Sequence, residues 1–136
     1  MRYDVGRCMQ IAHVAAIVFV LLTSFVLIFH AALLLGAPWG EFTLGGRYRG
    51  PLPARVRLVP IISLVLLVGF AIIVATRAGL GFPRWAGPAR TLIWIVVGYS
   101  GLGVVANAIT PSRRERRLWL PVVCAMLLTS VAVALS

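Results

Sequence analysis

Four long intervals of the sequence carry no charged side chain, and they constrain the fold more than any other feature. They contain 33, 19, 22 and 19 residues and follow Arg7, Arg57, Arg90 and Arg117. A helix needs about 20 predominantly apolar residues to cross the hydrocarbon core of a bilayer. Because no water is present there, the backbone must satisfy its hydrogen bonds within each segment, which requires helices. The sequence therefore predicts four transmembrane helices, at residues 9–35, 58–76, 91–110 and 118–135.

The composition leaves little room for a water-soluble fold. Hydrophobic residues make up 61% of the 136 residues and charged residues only 12%, whereas soluble domains carry about 25% charged residues. A chain of this length is expected to form one compact unit. We therefore predict an all-α fold, a four-helix transmembrane bundle with short loops, in which residues 1–136 form a single membrane domain.

All of the positive charge comes from arginine, because the chain has thirteen arginines and no lysine, with a net charge of +10. Such an excess can attract nucleic acid or an anionic membrane. Here the arginines flank the apolar runs, which is typical of membrane proteins. We therefore expect membrane lipids with anionic headgroups as partners, and no nucleic acid. Arginine without lysine, in a chain rich in alanine, valine, leucine and glycine, also indicates a bacterial genome of high G+C content.

The distribution of arginine predicts how the chain crosses the membrane. Eight arginines lie in the first loop and the last turn, whereas five lie on the opposite side, at the N-terminus and in the second loop. Loops rich in arginine stay in the cytoplasm. The sequence therefore predicts a multi-pass protein, integral to the bacterial cytoplasmic membrane, with its N- and C-termini outside.

The first predicted helix has a polar half and an apolar half. With about 3.6 residues per turn, its polar side chains all fall within one half of the circumference: Gln10, His13, Thr23, Ser24 and His30. We expect that half to face the other helices. The remaining half is expected to face lipid, and among its residues are Ile17, Phe19, Val26 and Leu33.

The third predicted helix carries small residues on two of its faces. Ser100, Gly103 and Asn107 form one stripe of small or polar residues, while Gly98 and Gly101 lie on a different face. Small residues allow helix backbones to approach closely where lipid supplies no hydrophobic drive. We therefore expect this helix to lie between two neighbours, as the central packing helix of the bundle.

Most of the polar functional groups converge on one end of the bundle. With four spans, the first loop (residues 36–57) and the last turn (residues 111–117) share one membrane face, which we call the loop face. His30 lies about two turns below this face and Asn107 about one turn below it. Polar residues inside a membrane are costly and often mark functional sites. The candidate binding residues are His30, Trp39, Glu41, Arg47, Arg49, Asn107, Arg113 and Glu115.

Each of these features also has a purely structural explanation. His30 and Asn107 can hydrogen-bond a neighbouring helix, and Glu41 can pair with an arginine of its own loop. The cluster Arg113–Arg117 can act simply as a determinant of topology that also meets anionic headgroups. Trp119 can serve as an anchor at the membrane interface.

The residue inventory argues against several kinds of site. Both histidines lie on the first helix, 17 residues apart, or about 25 Å along its axis, so they cannot ligate one haem. Three acidic residues and two scattered cysteines are too few for a metal cluster. The predicted topology places Cys8 at one membrane face and Cys124 nearer the other, so we expect no disulfide between them. No span carries the carboxylate that a proton-coupled exporter needs. We therefore expect no metal, no cofactor and no catalytic residue.

Two segments carry a resemblance to known proteins. The first is Gly36-Ala-Pro-Trp-Gly-Glu41 with Gly45-Gly46 and the Gly-Pro-Leu-Pro of residues 50–53. The second runs from Asn107 to Pro121 as Asn-Ala-Ile-Thr-Pro-Ser-Arg-Arg-Glu-Arg-Arg-Leu-Trp-Leu-Pro. Over nearly its whole length the chain resembles a group of small, uncharacterised bacterial four-span integral membrane proteins. The resemblance implies that the first loop and the last turn belong together, but it implies no activity.

Three functions are compatible with these observations. The sequence favours a non-enzymatic protein whose loop face binds a partner protein or an anionic lipid headgroup; a partner membrane protein or a homo-oligomer fits this description. The second is a subunit of a small oligomeric transporter or channel, with a path between protomers or along the Ser100–Gly103–Asn107 stripe. The third is an enzyme acting on a lipid, with His30 as base and Glu41 or Asn107 orienting it.

Overall fold

The computed structural model describes the chain from Arg2 to Ser136, with side chains from Gly6 onward, and it contains four long helices. They are α1 (Arg2–Leu34), α2 (Leu58–Arg77), α3 (Ala86–Ile109) and α4 (Arg113–Leu135), with short 3-10 turns at Gly40–Phe42, Leu44–Gly46, Ala54–Val56 and Pro83–Trp85. No strand is present among residues 2–136, and all four helices are long and apolar enough to cross a membrane. The predicted all-α four-helix transmembrane bundle is thus confirmed.

Three helices begin earlier than the charge pattern predicted. Helix α1 begins at Arg2 instead of residue 9, α3 at Ala86 instead of residue 91, and α4 at Arg113 instead of residue 118. A charged residue ends the apolar run but not the helix, because arginine has a good helix propensity and its long side chain reaches the interface. The arginine cluster is therefore the start of α4 rather than a turn, and Pro121 lies inside that helix.

The helices form a square in which α1 packs on α2 and α4, and α3 packs mainly on α4 and less extensively on α2. Helix α3 therefore lies between two neighbours, as expected. Because α1 stands diagonally opposite, the prediction that α3 is the central helix is wrong. A Cβ atom added to Gly98 or Gly101 would meet nothing within 4 Å. The face of α3 that carries these two glycines is therefore not covered by another helix.

The buried side of α1 also differs from the prediction. Phe19, Val26 and Leu33, which were expected to face lipid, are buried in the bundle, whereas Ile17 is 50% exposed as expected and Gln10 is exposed. The core stripe of α1 is spaced alternately by four and three residues: Ala12, Ala16, Phe19, Thr23, Val26, His30 and Leu33. Lipid is as apolar as these side chains, so fit between helices decides which face is buried rather than polarity.

Candidate functional site

The first loop is bound to the start of α4 through Glu41. The Glu41 carboxylate accepts a hydrogen bond from the Arg114 guanidinium at 2.7 Å, and its backbone oxygen accepts one from the Ser112 hydroxyl at 3.3 Å. The expected partner of Glu41, an arginine of its own loop, is therefore wrong. Because the Arg114 side chain is 69% exposed, solvent screens this ion pair and its contribution to stability is small. Together with the hydrogen bond from Ser112, it places Glu41 of the loop against the start of α4.

Helix α4 begins with a cap that is part of the same contact. The Ser112 hydroxyl accepts a hydrogen bond from the Glu115 backbone N–H at 3.2 Å, which satisfies one of the free donors at the helix start. The Glu115 carboxylate accepts a hydrogen bond from the Thr110 hydroxyl at 2.9 Å. A carboxylate in the first turn favours the helix, whereas arginines there oppose it. Glu115 thus compensates part of the repulsion that the arginine cluster brings to this end.

Trp119 joins α4 to the loop from below. Its indole N–H donates to the Phe42 carbonyl at 2.7 Å, and its ring lies 4.7 Å from the ring of Phe29. Phe29 in turn is stacked on Trp39 at 6.0 Å with 7° between the planes. Trp119 is only 7% exposed. Its predicted role as an anchor at the membrane interface is therefore wrong; it is a packing residue beneath the loop.

Glycine is required at residue 40, where two segments of the first loop are in close contact. The Gly40 N–H donates to the Gly50 carbonyl at 3.0 Å. A Cβ atom at Gly40 would lie 2.6 Å from the Tyr48 carbonyl oxygen and 2.7 Å from that of Gly50, both of them backbone atoms. Gly45 and Gly46 both have φ of 72°, which favours glycine, and Gly46 approaches Ser112. These glycines explain the spacing of the motif noted in the sequence.

A shallow polar pocket lies where the loop meets α4. It has a volume of about 440 Å³ and is lined by Glu41, Gly45, Gly46, Arg49, Ser112 and Arg114. Two of the predicted site residues, Glu41 and Arg49, therefore line it. Arg47 and Arg113 are exposed on the same face but line neither this pocket nor the larger cavity beneath it.

A larger cavity of about 490 Å³ lies beneath the loop and is lined by all four helices. It brings together three of the predicted residues, His30 from α1, Asn107 from α3 and Glu115 from α4. The lining is predominantly apolar, as is usual for small-molecule sites of roughly 300–1,000 Å³. Its roof is formed by Thr43 and Leu44 of the first loop.

His30 and Asn107 make their hydrogen bonds within their own helices. The His30 Nδ1 atom lies 2.8 Å from the Val26 carbonyl oxygen, and the Asn107 side-chain NH₂ donates to the Gly103 carbonyl at 2.8 Å. The expectation that they hydrogen-bond a neighbouring helix is therefore wrong. A carbonyl can only accept, so Nδ1 carries the proton, and Nε2 of the neutral ring and the Asn107 Oδ1 remain as acceptors.

The sequence missed two residues of the site and had little signal for them. Arg114 pairs with Glu41, but the sequence does not distinguish it from the other arginines of its cluster. Trp119 was noted only for its depth in the membrane. Among the side chains from Gly6 onward, no group of histidine, cysteine and acidic residues could hold a metal ion, and both cysteines are free.

A scan against protein-family models gives no matching family, and searches of curated proteins and of solved structures give no match.

Proposed function

We propose that this protein is a small, non-enzymatic protein of the bacterial cytoplasmic membrane whose loop face binds anionic lipid headgroups. The observation that carries the proposal is a surplus of arginine on a preformed surface. The loop face holds eight arginines and two carboxylates, which leaves a net charge of +6. Both carboxylates have partners within the protein, Glu41 with Arg114 and Glu115 with the hydroxyl of Thr110.

Several of these arginines are free to bind a phosphate. Arg47, Arg49, Arg113 and Arg117 are exposed, and none of them forms an ion pair with the side chains described from Gly6 onward. Guanidinium groups bind phosphate oxygens through paired N–H donors. The loop that carries Arg47 and Arg49 is held to α4 by Glu41 and Trp119. Little conformational entropy is therefore lost when a headgroup binds.

Removing charge from the loop face is expected to release anionic lipid. In the test variant, Arg47, Arg49 and Arg113 are replaced by glutamine; the matched control replaces Arg7, Arg84 and Arg90, which are equally exposed on the opposite side. Native mass spectrometry of the purified proteins measures the lipid retained from an equimolar mixture of phosphatidylglycerol and phosphatidylethanolamine. At roughly 1 kcal/mol per arginine, the loss of three arginines should weaken the binding of phosphatidylglycerol by about 3 kcal/mol, or about 100-fold. The control should change by less than about twofold.

Two outcomes of this experiment contradict the proposal. Equal losses in the two triple variants mean that net charge, rather than the loop face, attracts the lipid. Unchanged lipid retention together with loss of a co-purifying protein means that the loop face binds a protein partner. Because the proteins are purified, any change in membrane orientation caused by the lost arginines does not affect the comparison.

The surplus of arginine also supports an orientation with the loop face in the cytoplasm and both termini outside. The test starts from a protein in which Cys8 and Cys124 are replaced by serine. Pro53 and Phe82, which are both exposed, are then replaced by cysteine one at a time. These variants report on the two sides of the membrane without altering the number of arginines. A membrane-impermeant maleimide should label the Phe82→Cys variant in intact cells and the Pro53→Cys variant only after permeabilisation. The reverse pattern would refute the orientation.

A further inference from the structure

The cavity beneath the loop has the form of a cleft that opens sideways between α2 and α3. Its outer rim includes Val59 of α2 and Leu102 of α3, which are 43% and 71% exposed. Tyr99, which also lines the cavity, packs on Phe70 of α2 with ring centres 4.9 Å apart. Both rim residues belong to segments that can cross a membrane. A molecule dissolved in the bilayer can therefore enter this cleft without passing the loop face.

The polar groups of the cavity are three free acceptors and the hydroxyl groups of Thr43, Tyr99 and Ser100. His30 Nε2, Asn107 Oδ1 and one oxygen of Glu115 come from three different helices, and none has a hydrogen-bond partner among the described side chains. An unpaired polar group in apolar surroundings is costly, and polar residues at membrane depth mark functional sites. Free acceptors and hydroxyl groups on one apolar cavity therefore call for a ligand group that both donates and accepts hydrogen bonds.

Charge decides which donor fits. A phosphate or carboxylate is itself an acceptor and would be repelled by Glu115, so the anionic headgroups of the loop face do not belong in this cavity. An ammonium group would lie beneath a face of net charge +6, whose potential opposes a cation. A hydroxyl group supplies the donor without either conflict.

We propose that this cavity binds a neutral lipid alcohol, with its hydroxyl donating to His30 Nε2 or Asn107 Oδ1 and its apolar chain in the cleft between α2 and α3. The volume of about 490 Å³ is that of a site for one small amphiphile. This inference is independent of the proposed function, because it involves a different class of ligand, and its hydrogen-bonding residues His30 and Asn107 lie outside the loop face.

The test compares two photoactivatable probes, hexadecanol and its methyl ether, which has the same chain but no donor. Both carry a diazirine in the chain and are added to the purified wild-type protein in detergent. The alcohol should label the protein at least about fivefold more than the ether, since the ether cannot make the hydrogen bond, and its label should lie on peptides that line the cavity. Equal labelling by the two probes would overturn the proposal.

Two variants locate the site. Ala106 and Ala108 are both exposed on α3, but only Ala106 lines the cavity. Ala106→Phe should block the opening and reduce labelling by the alcohol at least about fivefold, whereas Ala108→Phe should leave it unchanged. Equal labelling of these two variants contradicts the proposed site. Labelling at the wild-type level in a double variant that carries both Asn107→Leu and His30→Phe also contradicts it.

A second experiment distinguishes a ligand site from a water-filled path. In a Gly103→Cys variant, a small thiol reagent in water tests whether the cavity is wet. If the reagent reacts there and the alcohol does not protect the thiol, the cavity holds water, which overturns the proposal and favours transport. Ala106→Phe should retain phosphatidylglycerol as the wild type does, and the triple variant of Arg47, Arg49 and Arg113 should still be labelled by the alcohol. Failure of one proposal therefore leaves the other testable.

Discussion

Replacing Gly40 with alanine is expected to detach the first loop from α4 and to lower the melting temperature in detergent by about 5–10 °C. The new Cβ atom would lie 2.6 Å and 2.7 Å from two backbone oxygens, which no side-chain adjustment can relieve. One passage of the loop must therefore move, which breaks the hydrogen bond between the Gly40 N–H and the Gly50 carbonyl. Overpacking of this kind costs about 1–3 kcal/mol. Hydrogen exchange of residues 40–50 should also become much faster.

Gly98 provides the matched control for Gly40. A Cβ atom there meets nothing within 4 Å, and the residue lies inside α3. Gly98→Ala should therefore leave the melting temperature unchanged or raise it slightly, because alanine favours a helix over glycine by about 0.5–1 kcal/mol. If the Gly40 and Gly98 variants melt and exchange alike, the close packing of the first loop is not what holds it in place.

Replacing Trp119 with alanine is expected to be the most destabilising single change at the loop face. It removes the hydrogen bond to the Phe42 carbonyl and the ring that packs on Phe29 and Phe25, and it leaves an empty volume beneath the loop. The cost should be about 3 kcal/mol, measured by unfolding in mixed micelles of increasing sodium dodecyl sulfate content.

Two further variants divide this effect into its parts. Trp119→Phe keeps most of the packing and loses only the indole donor, so it should cost about 1 kcal/mol. Trp94 is 52% exposed on α3, and Trp94→Ala should cost little because its ring exchanges protein contacts for lipid. A Trp94 variant as unstable as the Trp119 variant would show that the loss comes from removing any tryptophan.

The number of helices and the pairing of the two loops followed from the sequence because both depend on simple physical constraints. Charge is excluded from the hydrocarbon core, so the charge-free runs reveal the spans. Alternating spans then bring the first loop and the start of α4 to one face. Three predicted residues, His30, Asn107 and Glu115, line the same cavity for this reason.

The packing of the helices could not be predicted in the same way. In lipid an apolar side chain gains little from being buried in protein. Phe19 and Ile17 are both apolar, yet one is buried and the other exposed. The glycines of α3 allow close approach but do not require it. Which arginine of the cluster pairs with Glu41 depends on side-chain geometry, and the structure shows Arg114. The sequence cannot predict this choice, because several similar arginines lie next to one another.

The binding of anionic headgroups at the loop face is tested most directly by photo-cross-linking. The wild-type protein, in nanodiscs, is cross-linked to phosphatidylglycerol that carries a diazirine on its headgroup, and the labelled peptides are identified. We predict that label concentrates on residues 36–57 and 111–117 and that 0.5 M salt reduces it, roughly as screening requires. Equal labelling of the opposite loop, residues 78–85, would contradict this prediction. The same labelling pattern with a phosphatidylethanolamine probe would also contradict it.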